Sequence, residues 1–477
     1  MVFSSIVFLF YFLPLTLALY YATGLRNTVL LACSIVFYAW GEGLFVLGLM
    51  ALVGANLVAA QKLSASSGAA RRRMLVVAIL VNALVLVFFK YTQFLLDAAG
   101  GLAGWSAPRL GLTLPLGVSF FVFQLISYQV EVFRGRIPAE RSYICLATYV
   151  MMFPHLVAGP IVRYAQVSGP LRSREMNLDI AGVGVQFFIV GLCQKVLIAN
   201  TVAPAADLAF GLPFWEITTP IAWIGTAAYT LQIYFDFCGY SNMAIGLALL
   251  IGFRFPQNFN YPYAACSIRE FWRRWHITLS AWFRDYVYLP LGGNRDGQLK
   301  TARNLAIVFL LTGLWHGAAW TFVAWGAYHG LFLILERSGF GRVLHALPAW
   351  LGNAYTLLVV MIGWVLFRSA DMVQAVAMIK ALAGWGAIGV WKPIGAWMNP
   401  EIIGAMAVGT VLSFPVIPWA MKRLNRQEFV ALLPTMAMGA DPLPAYRLPT
   451  FLLLAGLALS MTGLVTGTLN PFLYFRF

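Results

Sequence analysis

Charge is what this chain has least of: 10% of its 477 residues are Asp, Glu, Lys or Arg, against roughly 25% in soluble domains. Apolar residues make up 61%. That balance excludes a soluble enzyme or binding module and identifies an integral membrane protein. Acid is scarcer than base, 17 residues against 32, an excess that nucleic-acid binders also carry. Here the Lys and Arg residues sit in short segments between apolar runs, as the positive-inside rule requires, so nucleic acid is not an expected partner. The five cysteines (Cys33, Cys145, Cys193, Cys238, Cys266) form no C-x-x-C pair and mostly lie in apolar runs. That disfavours disulfides and metal, and leaves them as small buried hydrophobes. There is no G-x-S-x-G elbow, no glycine-rich phosphate loop and no pair of histidines four apart. The serine-hydrolase, nucleotide-loop and zinc-helix readings fall with them.

What the chain does have is apolar runs along its whole length. Each crossing of a hydrocarbon core some 30 Å thick takes about 20 residues, and without water the backbone there must bond to itself, as helices do. We expect an all-α polytopic protein of about ten or eleven transmembrane helices, one integral domain over residues 1–477, with no internal repeat and no linker of soluble composition. The opening "MVFSSIVFLFYFLPLTLALYYA" lacks the basic start and small-residue cleavage site of a secretory signal and is read as a retained first helix. Expected spans include Asn27–Tyr38, short for the task, Leu44–Ala60, Met74–Leu96 and Leu448–Val465. Placing Lys62, Arg71, Arg72 and Arg73 on the cytoplasmic side makes the loops alternate in charge, with Lys422, Arg423 and Arg426 inside and both termini, Met1 and Phe477, outside the cytoplasm. Glu131, Lys90 and Lys195 fall near expected helix ends, where their heads can reach the interface.

Residues 258–330 are the candidate segment for chemistry, and within them Asn258–Arg303 is the exception to the apolar texture. In "NFNYPYAACSIREFWRRWHITLSAWFRDYVYLPLGGNR", Arg269, Arg273 and His276 recur at helical spacing with Phe271, Trp272 and Trp275 between them. A plain interfacial helix, rings in the apolar zone and charges in water, accounts for that pattern equally well. The next run, "LTGLWHGAAWTFVAWGAYHG", holds His316 and His329. An ionisable residue within a span is a functional-site candidate, and imidazole can move protons near neutral pH. The alternative is a neutral core imidazole bonded to a carbonyl of a neighbouring helix. His276 and His316 can meet if the interfacial piece folds back under the second run. Asp236, in "YFDFCGYSNMAIG", is either a buried structural carboxylate or a chemical group, among small residues that permit close helix packing. His155 sits beside Pro154 and Gly159-Pro160, a helix break tolerated at membrane depth only against protein or a cavity.

The pairing of "FWRRWHITLSAWFRDYVYLPLGGNR" with "LWHGAAWTFVAWGAYHG" resembles the core of the membrane-bound O-acyltransferases. "LPLGVSFFVFQLISYQVEVFRG", "FPHLVAGPIVRY", "FDFCGYSNMAIGLALLIGFRFPQNFNYPY" and the terminal "NPFLYFRF" extend the likeness along the chain. It is most similar to the branch that O-acetylates alginate and other exopolysaccharides. The resemblance implies a funnel-shaped fold with re-entrant or interfacial helices around a buried histidine. It carries the catalytic histidine onto His316, the second family position onto His276, and a further histidine of the branch onto His329. Asp236 and Trp315 are candidate supports. It also implies acetyl-coenzyme A as cytoplasmic donor, with no resident cofactor and no metal. The donor's phosphates suit Arg269, Arg273, Arg274 and Arg284, because guanidinium binds phosphate bidentately. By the same resemblance, acetyl would cross a bacterial inner membrane to a periplasmic acetyltransferase-type partner and the exopolysaccharide machinery. Two other classes stay open: a transporter or flippase of an acyl or glycan intermediate, and a structural scaffold of a secretion complex.

Overall fold

The computed structural model describes residues 1–174, 177–387, 398–423 and 448–467. Among these residues every regular element is helical, as backbone without access to water dictates. Among the described residues five helices are long and apolar enough to cross a membrane: α1 (Phe45–Ala65), α2 (Gly68–Ala103), α3 (Leu178–Gly211), α4 (Thr219–Leu250) and one over Ala349–Arg368. Shorter apolar helices cover Phe8–Ala22, Val118–Phe133, Met372–Leu382, Pro400–Leu412 and Thr450–Thr466. The short span expected at Asn27–Tyr38 extends to Arg26–Glu42, which removes the difficulty of its length. Lys90 lies in a π-turn, Val87–Tyr91, inside the continuous α2, rather than at a span end. Arg426, the terminal "NPFLYFRF" and Phe477 lie outside the described residues.

The chain packs as two compact units, Met1–Phe188 with Met243–Pro256, and Ile189–Asn242 with Gln257–Phe477. In the first, buried amides join three helices. Asn56 and Asn82 each donate to the other's Oδ1 at 3.1 and 2.8 Å, and Gln129 donates to the Asn56 carbonyl at 2.7 Å. Such bonds hold apolar helices together where water cannot drive them. Glu131 is buried and faces Arg134 and Arg136 at 3.6 and 3.2 Å, so a pair of guanidiniums, and not reach to the interface, accommodates its charge. His155 sits on a single helical turn, Phe153–Leu156, as the flanking prolines and glycine predict. Its Nε2 donates to the Tyr149 carbonyl at 2.7 Å, a structural imidazole.

The second unit holds residues 258–330. Here α5 (Ile268–Arg274) and α6 (Ile277–Phe283) are single short helices. Then α7 (Gln298–His316) and α8 (Trp320–Leu335) form a tight hairpin broken at Gly317–Ala319, and α9 (Ala349–Arg368) lies against α8. The hairpin closes on two glycines. A Cβ at Gly313 would lie 2.3 Å from the Phe322 carbonyl, and one at Gly326 would lie 2.3 Å from the Phe309 carbonyl. Only hydrogen fits, which is why small residues mark helix contacts in apolar surroundings. Gly239 of α4 does the same against α3, 2.6 Å from the Gly191 carbonyl.

Candidate active site

The site is built from the bottom of α5 upward. Ser267 caps that helix by accepting from the Glu270 N–H at 3.1 Å. The amides of Ile268 and Arg269 donate to the two oxygens of Glu336, at 2.6 and 3.0 Å. Between α5 and α6 the chain turns through His276, at φ 44° and ψ 55°. Among the described non-glycine residues only His276 and Tyr261 adopt positive φ, a conformation that costs of order 1–3 kcal/mol and persists where its surroundings enforce it. Two backbone bonds do the enforcing: Asn260 N–H to the Arg274 carbonyl at 2.9 Å, and Ile277 N–H to the Asn258 carbonyl at 3.0 Å.

Asn258 also fixes the imidazole. Its Oδ1 accepts from the Thr278 hydroxyl at 2.9 Å and the Thr278 N–H at 3.3 Å, and lies 3.1 Å from His276 Nδ1. An oxygen that already accepts two bonds requires a donor there, so Nδ1 carries the proton in the neutral ring and Nε2 presents a lone pair. His276 is fully buried, and its Nε2 has no hydrogen-bond partner among the described residues. Phe237 and Trp315 meet its ring at 4.7 and 6.0 Å between centroids.

His316 is the last residue of α7, 6% exposed. Trp315, Trp325 and Phe367 surround its ring at 4.9, 5.0 and 5.1 Å. Because Trp315 touches both imidazoles, His276 and His316 belong to one cluster bridged by an indole. His329, on α8, enters it from the other side. It is fully buried, meets Trp272 and Trp325 at 5.1 Å each, and fits because residue 363 is glycine, whose Cβ would lie 2.5 Å from His329 Nε2. Trp325 thus separates His316 from His329.

Asp236 and Lys195 form a buried ion pair, at 1% and 5% side-chain exposure. Lys195 sits on the π-turn Gln194–Ala199 and turns inward instead of reaching for the interface. The ion pair neutralises the Asp236 carboxylate within the apolar interior.

A cavity of about 260 Å³ opens beside the cluster. Arg269, Arg273, Arg284 and Arg337 border it, over apolar walls that include Trp272 and Phe309. Of the expected arginines, Arg274 does not line it: its guanidinium is held by Glu270 at 2.7 and 2.9 Å and by the Asn260 carbonyl. Arg337 replaces it. In the sequence Arg337 was one more basic residue after a span, and only the α8 turn that follows Glu336 brings it to α5. Thr312, one helical turn before His316, also lines the cavity, so the cavity wall and the imidazole share a helix face. The arrangement can hold an anion at its arginine rim and place an apolar arm toward a basic imidazole. Among the described residues no three His, Cys, Asp or Glu side chains gather as metal ligands.

Known proteins resemble this chain over most of its length. The probable alginate O-acetylase AlgI of Azotobacter vinelandii is 46% identical over 78% of this chain and 76% of its own length. The Pseudomonas aeruginosa protein of that name is 45% identical over 78% of this chain and 73% of its own. The peptidoglycan O-acetyltransferase of Helicobacter pylori is 34% identical over 79% of this chain and 78% of its own. Residues 104–370, more than half of the chain and including both His276 and His316, match the membrane-bound O-acyltransferase family. The chain belongs to the membrane-bound O-acyltransferase family.

Proposed function

We propose that this protein takes acetyl from cytoplasmic acetyl-coenzyme A and passes it across the bacterial inner membrane for O-acetylation of an exopolysaccharide, alginate or a related glycan. A periplasmic acetyltransferase would complete the transfer. The observation that carries the reading is the arginine-rimmed cavity that reaches α7 one turn from His316. The arginines bind the donor's phosphates, and the apolar walls take its pantetheine arm. The names of the curated relatives, alginate O-acetylase and peptidoglycan O-acetyltransferase, favour a glycan as the final acceptor.

In the step itself, an acceptor hydroxyl gives its proton to the His316 imidazole as its oxygen bonds to the thioester carbon. The C–S bond breaks, and the proton passes from His316 to the departing thiolate. His276, its tautomer set by Asn258, orients the acceptor through its free Nε2 lone pair. The test is thiol release from acetyl-coenzyme A by the purified chain, alongside polymer acetylation in cells. His316→Ala is expected to lower both at least 100-fold, the low end of general acid–base contributions, at normal abundance in the membrane. Full acetylation by that variant overturns the assignment. An unconsumed thioester in the presence of transported product would mark a carrier instead.

A further inference from the structure

The aromatic rings around His316 carry information about the acyl chain. Trp315, Trp325 and Phe367 meet the imidazole edge to face at centroid separations of 4.9, 5.0 and 5.1 Å, which is ring contact. Phe322 backs Phe367 at 5.0 Å and 89°. Phe322 is itself wedged against the backbone that follows His316: a Cβ at Gly317 would lie 2.0 Å from its Cε2. Phe322, Trp325 and Phe367 are all buried. Neither phenyl ring can swing aside without displacing another ring or the α7–α8 turn, since well-packed interiors have no slack for an added methylene.

We infer that Phe367 and Phe322 set the acyl-length limit of the transfer and hold it to a two-carbon chain. This rests on the proposed role of His316. A thioester carbon in reach of that imidazole must send its alkyl tail away from the sulfur. The arginine-rimmed cavity is taken by the donor's own arm, so the tail points at the phenyl pair. On this inference the acetyl methyl lies against the ring edges, and each further methylene presses on Phe367. Discrimination by an apolar pocket of this kind amounts to roughly 10–200-fold per methylene.

The experiment is a donor ladder. Purified full-length protein is given acetyl-, propionyl-, butyryl- and hexanoyl-coenzyme A with a fixed concentration of an oligosaccharide acceptor, and kcat/KM for the donor is read from thiol release. The wild-type chain is expected to fall about 10-fold or more at each added methylene. Phe367→Ala and Phe322→Ala are each expected to raise the butyryl-to-acetyl ratio at least 10-fold, on the same scale per methylene. Phe367→Leu, which keeps apolar bulk, is expected to shift the ratio less and shows that the fold survives a change at this position. Wild-type protein that uses butyryl as well as acetyl overturns the inference, whatever the variants do. So does an unchanged ratio in alanine variants that still turn over acetyl. Loss of all turnover in His316→Ala leaves the ladder meaningful, whereas full turnover there removes the proposed function first.

Discussion

Asn258 is the residue whose loss separates the site's geometry from its chemistry. Its side chain is 1% exposed and accepts from His276 Nδ1–H, the Thr278 N–H and the Thr278 hydroxyl, at 3.1, 3.3 and 2.9 Å, while donating to Ser241 Oγ at 3.2 Å. Asn258→Leu keeps the volume and removes every polar atom. The Thr278 and Ser241 hydroxyls can rotate toward other acceptors. The Thr278 amide and the His276 ring cannot, and each stranded donor costs about 1–3 kcal/mol, giving a loss of roughly 2–6 kcal/mol in stability. Without the acceptor at Nδ1 the ring no longer prefers one tautomer, and the lone pair is no longer held at Nε2. Outer partners that orient a histidine are worth about 10–100-fold in function, and a fall of that size in thiol release is expected. Asn258→Asp keeps the acceptor oxygens and should retain more turnover than Asn258→Leu. The assay pairs thermal unfolding in detergent with turnover measured well below the transition. Wild-type turnover in a destabilised Asn258→Leu protein would refute the tautomer argument, because it would show that the bond serves the fold alone.

Lys195→Met should destabilise the protein by about 3–5 kcal/mol, because the buried Asp236 carboxylate loses the cation that faces it. Lys195→Met with Asp236→Leu should recover most of that loss; a double variant no more stable than the single one, by thermal unfolding in detergent, would refute it. Gly326→Ala forces a methyl to within 2.3 Å of the Phe309 carbonyl and should lower both melting temperature and turnover. Gly182→Ala, whose added Cβ meets nothing within 4 Å, should be neutral or slightly stabilising on the same two measurements.

The sequence made legible whatever depends on local composition. The membrane class, the helical backbone and the break at His155 follow from apolar runs interrupted by rare polar residues; those runs made His276 and His316 candidates, and the family resemblance gave them their catalytic weight. What it hid depends on which distant residues pair. Lys195 looked like a snorkelling end residue because Asp236 lies elsewhere in the chain, and an isolated lysine and an isolated aspartate each invite a separate explanation. Arg337 was hidden for a similar reason, whereas the loss of Arg274 was not. Arg274 sits four residues from Glu270 on α5 and is neutralised there, a pairing that i,i+4 spacing foretells. Arg337 gains its role only through the turn after α8.

The same distinction orders the three central histidines. Their common burial would make them equivalent if burial were the criterion, yet each is held differently. His276 has a carboxamide that chooses its tautomer. His329 has ring contacts and a glycine that clears space for it. His316 ends α7, on the same face as the cavity-lining Thr312. Proton transfer needs an imidazole that substrate can approach, and His316 keeps 6% of its surface exposed where His276 and His329 keep none. His276 is then suited to hold and His329 to pack, so turnover should be most sensitive to substitution at His316, less at His276 and least at His329.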